Sequence, residues 1–199
     1  MRRLVVGCGY LGERVARLWR DAGDEVYATT RGDRVHALSL AGLRPLTVDV
    51  TKGPALGALP VVDTVVFAVG RDRRFGATMF NVHVGGFQAV LDALPASTGR
   101  VIYISSTGVY AQDAGEWVDE ESACEPTREA GRACLSGERV LQTLRALWWR
   151  LRPRSRSSAG RTSCQTVIPP RAGSMWGCWQ RGWEWPRRRS RTGVASASA

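Results

Sequence analysis

The chain has 199 residues, of which 44% are hydrophobic, and this length and composition favour one globular domain over two. No apolar run approaches the roughly 18 residues that a membrane helix needs. The basic start is followed by Gly7, Gly9 and Glu13, which break up the apolar stretch of an export signal. We therefore expect a cytoplasmic protein without a membrane segment. Five scattered cysteines and two histidines predict neither a metal site nor a disulfide framework.

The net charge of +10 comes from the end of the chain. Residues 1–143 carry 16 Lys and Arg against 17 Asp and Glu, whereas residues 144–199 carry 12 arginines against one acid, Glu184. The first segment has the near-neutral balance of an ordinary enzyme domain. We predict a folded domain over residues 1–143 and a separate basic tail over residues 144–199.

The first 143 residues alternate between predicted strands and predicted helices. Short β-branched or apolar runs predict strands over residues 4–6, 25–30, 45–49, 64–68 and 100–105. Apolar residues at helical spacing predict helices over residues 13–22, 34–41, 54–59, 79–94 and 129–144. This alternation predicts an α/β fold, a doubly wound parallel sheet of the Rossmann type, in which ligands bind at the carboxyl ends of the strands.

The first strand is followed by the sequence GCGYLG, residues 7–12, which matches the pattern GxGxxG. Its first glycine permits a tight turn, its second lets a pyrophosphate approach the backbone, and its third lets the helix pack closely on the strand. The helix that follows offers free N–H groups to phosphate. The alternative is a plain glycine turn. We predict a dinucleotide-binding turn made of Gly7, Gly9, Tyr10, Leu11 and Gly12.

The end of the second strand distinguishes NADP from NAD. An NAD site usually has an acid there to hold the ribose 2′-hydroxyl, but this strand ends in Thr30 and Arg31, with no acid before Asp33. Arg31 could pair with a 2′-phosphate, and Thr30 could donate a hydrogen bond to it. The pattern favours NADP as the cofactor. NAD is the alternative, with Arg31 as a solvated loop residue.

Two later strand ends also predict contacts with a dinucleotide. Asp49 could accept a hydrogen bond from the adenine amino group while Val50 covers the ring, although Asp49 could equally cap a helix. The small residues at the end of the fourth strand leave room for the nicotinamide ribose, and they are Ala68, Val69 and Gly70.

These segments, together with the sequence SSTGVY at residues 105–110, resemble the extended short-chain dehydrogenase/reductase family. That family includes NAD-dependent sugar epimerases and dehydratases, and its atypical members, which often bind NADP, are the nearer match. Residues 117–141 resemble the segment with the family's catalytic helix, and the resemblance covers about residues 3–143. It implies an NAD(P)-dependent oxidoreductase or epimerase that acts on a sugar-like or small carbonyl substrate.

The resemblance implies a catalytic set that this chain contains only in part. Ser106 matches the family's substrate-binding serine. Counting back from Glu138, the family's YxxxK tyrosine and lysine fall at Ala130 and Cys134, and the chain has no YxxxK. Tyr110 could protonate a substrate, but the ordinary pKa of a tyrosine, about 10, is poorly suited to base catalysis at neutral pH. We expect cofactor binding with weak or absent turnover, and the alternative is a non-catalytic module that senses NADP.

Residues 144–199 contain six of the chain's eight tryptophans, and Pro and Gly interrupt every candidate helix beyond Leu151. We predict that this tail is mostly disordered. One interpretation is that it is translated from a shifted reading frame, which would leave the sheet without an apolar sixth strand and without a substrate lobe. The less favoured interpretation is a basic aromatic arm that binds nucleic acid through phosphate contacts and base stacking.

Overall fold

The computed structural model describes residues 1–72, 76–112, 114–151 and 165–166, without the side chains of residues 54–55, 145–151 and 165–166. Its strands are β1 (Arg2–Val6), β2 (Glu25–Thr30), β3 (Arg44–Thr47), β4 (Thr64–Phe67), β5 (Arg100–Tyr103) and β6 (Gln165–Thr166). Its α-helices are α1 (Tyr10–Asp21), α2 (Val35–Leu40), α3 (Phe87–Ala93) and α4 (Glu129–Leu151). A π-helical stretch, Asn81–Gly86, leads into α3, and the short 3-10 helices are Val50–Leu56 and Thr107–Val109.

All six strands form one parallel sheet in the order β3-β2-β1-β4-β5-β6. The chain moves outward from β1 to β3 and then crosses back to place β4 on the other side of β1. This reversal between β1 and β4 is the switch point at which doubly wound sheets bind ligands. The predicted α/β fold of the Rossmann type is confirmed.

The sheet is buried on both faces, which explains why its central strands are apolar throughout. Leu4 and Val6 of β1 pack into a core with Phe67 and Phe87, on the side of α3 and α4. Val5 points the other way, into a smaller core with residues of α1, α2 and β2. Burial of β1 on both sides fixes the position of the turn that follows it.

Element boundaries differ from the sequence prediction where local hydrogen bonding decides them. Helix α1 begins at Tyr10, directly after Gly9 and within the GxGxxG sequence, rather than at residue 13. Strand β3 ends at Thr47, because Asp49 already caps the 3-10 helix Val50–Leu56. The helix predicted over residues 79–94 is π-helical at its centre before it becomes α3.

Helix α4 continues to Leu151, eight residues beyond the predicted domain boundary at residue 143. Strand β6 has only two residues and pairs with Ile102 and Tyr103 of β5, at the place of the sixth strand. The predicted disorder of the rest of the tail lies outside the described residues. Within the described part of the chain, no helix has the length and apolar character needed to cross a membrane.

Candidate functional site

The backbone of the turn after β1 can only be built with glycine at two positions. Gly7 has a φ of +88°, and a Cβ on it would lie 2.7 Å from the Cα and N of Val69. A Cβ on Gly12 would collide with the carbonyl oxygen of Gly7 and lie 3.0 Å from Cγ1 of Val5. These two glycines therefore serve the tight turn and the close packing of α1 on β1, as their spacing predicts.

Gly9 is different, because no atom lies within 4 Å of the position that its Cβ would take. It precedes α1 without any side-chain cap, and the first bond of the helix is the one from the Glu13 N–H to the Gly9 carbonyl, at 2.9 Å. The N–H groups of Tyr10, Leu11 and Gly12 come before that bond. Open space beside free backbone donors fits a phosphate group. Tyr10, 80% exposed, and Leu11 flank this space.

Thr29 anchors the turn from the neighbouring strand β2. Its Oγ1 accepts a hydrogen bond from the Gly7 N–H at 2.9 Å, and its carbonyl accepts one from the Cys8 N–H at 3.3 Å. Thr29 is buried. Sequence reasoning missed this residue, and the only signal was a polar side chain next to the end of a buried strand.

Arg34 ties the start of α2 to the same turn. One guanidinium nitrogen donates to the Cys8 carbonyl and another to the carboxylate of Glu13, each at 2.6 Å. The hydrogen bonds from Arg34 and Arg17 lower the pKa of Glu13. The Glu13 carboxylate lies in the first turn of α1, and its two arginine partners compensate a negative charge that would otherwise oppose a bound phosphate.

The two residues predicted to select the cofactor lie at the carboxyl end of β2. Arg31 donates from Nη2 to Oδ2 of Asp72 at 2.7 Å. The Thr30 hydroxyl donates to Oδ1 of Asp33 at 3.1 Å and accepts from the Gly32 N–H at 3.3 Å. The structure thus adds Asp72, from the loop after β4, to the predicted residues at this strand end.

Asp49 takes the helix-capping role that its sequence also allowed. Its Oδ1 accepts from the N–H and the hydroxyl of Thr51, at 3.0 and 2.7 Å. Burial raises the pKa of Asp49, but the hydrogen bonds from Thr51 and the positive charges of Lys52 and Arg31 outweigh it, so the pKa lies below its ordinary value. Val50 is buried in the core beside Gly86.

The end of β4 lies directly against the glycine turn. The Ala68 N–H donates to the Val6 carbonyl at 2.8 Å, and the backbone of Val69 touches Gly7. Gly70 has open space around its Cβ position. The predicted residues at the ends of β1, β2 and β4 are therefore brought together at one edge of the sheet.

The two predicted catalytic residues lie after β5. Ser106 is exposed, and its Oγ accepts from the Gly108 N–H at 3.1 Å. Tyr110 is partly buried, and burial, together with nearby acidic groups that include Glu120, raises its pKa. A raised pKa makes Tyr110 a still poorer base at neutral pH.

The two positions predicted to match the family's tyrosine and lysine are Ala130 and Cys134. Ala130 is exposed, and Cys134 is buried, which raises the pKa of its thiol. One turn further along α4, buried Glu138 accepts a hydrogen bond from the Ser105 hydroxyl at 2.6 Å. Among the described residues, no group of three or more His, Cys, Asp and Glu is placed to hold a metal ion.

Comparison with known proteins assigns the chain to a family. The sequence profile of the NAD-dependent epimerase/dehydratase family matches residues 3–153, which is most of the chain. A comparison with curated proteins finds no match.

Solved structures with the same fold include three from different bacteria. A short-chain dehydrogenase/reductase superfamily protein from Agrobacterium tumefaciens with bound NAD is 21% identical, with a TM-score of 0.62, over 83% of this chain and 48% of that one. UDP-glucose 4-epimerase from Bifidobacterium longum, in complex with NAD+ and UDP, is 16% identical, with a TM-score of 0.60, over 74% and 50%. A functionally unknown conserved protein from Silicibacter pomeroyi DSS is 25% identical, with a TM-score of 0.51, over 75% and 48%.

The chain spans about half the length of these three proteins. The family match takes in the glycine turn, the strand ends around it and all of α4. On this evidence the chain belongs to the NAD-dependent epimerase/dehydratase family.

Proposed function

We propose that this chain binds a nicotinamide dinucleotide at the carboxyl ends of β1, β2 and β4, with NADP preferred to NAD. The observation that carries the proposal is the open space at Gly9 beside the free N–H groups at the start of α1. Packing alone accounts for glycine at positions 7 and 12, because a side chain there would clash with neighbouring atoms. No such clash accounts for Gly9, and a ligand in the open space beside it would. The pyrophosphate would bind there through backbone donors.

The preference for NADP rests on Arg31. It is a cation at the strand end where an NAD site usually has a carboxylate for the ribose 2′-hydroxyl. Guanidinium groups bind phosphate through two parallel hydrogen bonds, which makes Arg31 the residue that would hold the 2′-phosphate. Thr30 would assist it with its hydroxyl, in exchange for the bond to Asp33.

Turnover by this chain would be weak or absent. The Tyr–Lys pair of the family is replaced by Ala130 and Cys134, and the remaining candidates are Ser106 and Tyr110. Ser106 would hydrogen-bond a carbonyl or sugar oxygen, and Tyr110 would supply a proton. Because the pKa of Tyr110 is raised and the chain has no lysine beside it, proton removal from a substrate hydroxyl would be slow.

The test is a titration of the protein with NADPH and with NADH, followed by nucleotide fluorescence. We expect NADPH to bind more tightly than NADH. Gly9→Ala should lower the affinity for both nucleotides by about tenfold or more, a loss of roughly 1.4 kcal/mol in binding free energy. Gly85→Ala is the matched control, because its Cβ position is also open but lies in the π-helical stretch. Absence of binding, or equal effects of the two variants, would contradict the proposal.

The catalytic part is tested separately by NADPH oxidation with small carbonyl compounds and by sugar-nucleotide epimerisation. We expect little or no turnover, and what remains should fall in Ser106→Ala and Tyr110→Phe. Steady turnover that survives both substitutions would show that the reaction uses other residues.

A further inference from the structure

The ion pair between Arg31 and Asp72 joins the two loops on either side of the glycine turn. Arg31 follows β2 and Asp72 follows β4, and both strands are direct neighbours of β1. The pair therefore links residues 41 positions apart, at the same sheet edge as Gly9. The side chains are 34% and 21% exposed, so solvent and a ligand can both reach the pair.

The Asp72 carboxylate accepts a hydrogen bond from Arg31 in the way that a phosphate group would. A carboxylate and a phosphate both accept hydrogen bonds from a guanidinium fork, so the two compete for the same donors. A phosphate monoester has a larger negative charge near neutral pH than a carboxylate has, and this favours exchange. Arg31 also lies within electrostatic reach of Asp49, since its charge contributes to the lowered pKa of that carboxyl.

We propose that Asp72 is an internal counter-ion that occupies Arg31 in the free protein and that the 2′-phosphate of NADP must displace. Asp72 is then a specificity-determining residue, because it reduces the affinity for NADP and leaves the affinity for NAD unchanged. This inference rests on the proposed function of Arg31 as the 2′-phosphate ligand.

The test compares Asp72→Asn with the unaltered protein, using two pairs of ligands. NADPH and adenosine 2′,5′-bisphosphate contain the 2′-phosphate, and NADH and 5′-AMP do not. A partly exposed ion pair contributes up to about 1 kcal/mol, which corresponds to roughly threefold to fivefold in affinity. We expect Asp72→Asn to increase the affinity for NADPH and adenosine 2′,5′-bisphosphate by about that factor. The affinity for NADH and 5′-AMP should not change.

Asp21→Asn is the matched control for the loss of one negative charge. Asp21 pairs with Arg20 at the end of α1, so the same charge is removed from an ion pair outside the site. We expect this variant to change none of the four affinities by more than about twofold, since exposed charges at a distance are screened by salt. A second expectation is that Asp72→Asn has no effect on NADPH binding in an Arg31→Ala background.

The outcomes separate the inference from the proposed function. If NADPH binds tightly but Asp72→Asn leaves it unchanged, or weakens NADPH and NADH alike, Asp72 is not a competing counter-ion and the inference is overturned. If Arg31→Ala leaves the ratio of NADPH to NADH affinity unchanged, the assignment of Arg31 fails. If neither nucleotide binds to the unaltered protein, the proposed function fails and the inference falls with it.

Discussion

At the scale of single residues, the glycine turn depends on the hydroxyl of Thr29. Thr29→Val keeps the shape of the side chain but removes the acceptor of the Gly7 N–H. The Gly7 N–H is only partly buried, so we expect the loss of its acceptor to lower the free energy of unfolding by about 1 kcal/mol, the low end of the cost of an unsatisfied donor. Urea denaturation measures it.

Thr29→Ser is the control, because serine keeps the hydroxyl and loses one methyl group. It should cost less than Thr29→Val, and it should leave nucleotide binding closer to that of the unaltered protein. Equal losses in the two variants would mean that Thr29 acts through its methyl group, in the packing of β2, and not through its hydrogen bond.

The residues of the site divide into those that the sequence predicts and those that it does not. The glycine turn is predictable because a tight turn, an open position and a close helix contact are needed within six consecutive residues, 7–12. Thr29 and Asp72 are not, because each meets its partner only through the pairing of β2 and β4 with β1. Nothing in the sequence near Asp72 indicates that it reaches Arg31.

At the scale of elements, α4 packs on the end of β5 through a glycine, Gly137, that sequence periodicity does not single out. A Cβ on Gly137 would meet the Tyr103 hydroxyl and lie 2.6 Å from the His83 carbonyl oxygen. Tyr103 is fully buried and hydrogen-bonded to His83, so neither group can move away freely. The close approach of α4 to β5 thus requires glycine at this position.

Gly137→Ala therefore has two opposing effects on stability, a gain from the higher helix propensity of alanine and a loss from overpacking. Alanine favours a helix interior over glycine by about 1 kcal/mol. Overpacking a buried contact costs about 1 to 3 kcal/mol, and the rigid neighbours place Gly137 at the upper end of that range. We expect a net loss of stability in thermal or urea unfolding. Gly85→Ala, where the Cβ position is open, should be neutral or stabilising, and a stabilised Gly137→Ala would contradict the packing argument.

The sequence predicts an element well where burial determines its position. It predicts the boundaries less well where local hydrogen bonds determine them. The apolar runs of β1 and β4 predict central strands because both faces are covered. The strand predicted over residues 45–49 ends two residues later than β3 does, because apolar patterning does not show that the Asp49 side chain accepts a hydrogen bond from the Thr51 N–H. The π-helical stretch before α3 likewise has the same apolar spacing as an ordinary helix.

At the scale of the whole molecule, the main core contains a histidine that the sequence does not mark as special. His83 is 6% exposed, and its Nδ1 lies 2.7 Å from the Tyr103 hydroxyl, within the group of Phe67, Phe87 and Tyr103. Burial lowers the pKa of His83 below its usual value of 6.5. The folded protein therefore keeps this ring neutral at a pH where the unfolded chain already protonates it.

The sign of the resulting pH dependence follows from proton linkage. Above pH 6.5 the His83 ring is neutral in both states, so it does not affect stability. As the pH falls below 6.5, the unfolded chain binds a proton that the folded core excludes, and stability is lost until the lowered pKa is reached. Glu138 has the opposite effect on stability. Burial raises its pKa in the folded protein, so the folded state binds a proton at a higher pH than the unfolded chain does, and acidification stabilises it.

His83→Asn separates the two contributions, since asparagine keeps a polar partner for Tyr103 but does not titrate. We expect the free energy of unfolding, measured in urea at pH 7.5 and at pH 5.5, to fall less on acidification in His83→Asn than in the unaltered protein. His36→Asn is the control, because His36 is exposed and its replacement should leave the acid-induced loss unchanged. If the two variants lose stability equally on acidification, protonation of the core is not what limits stability in acid.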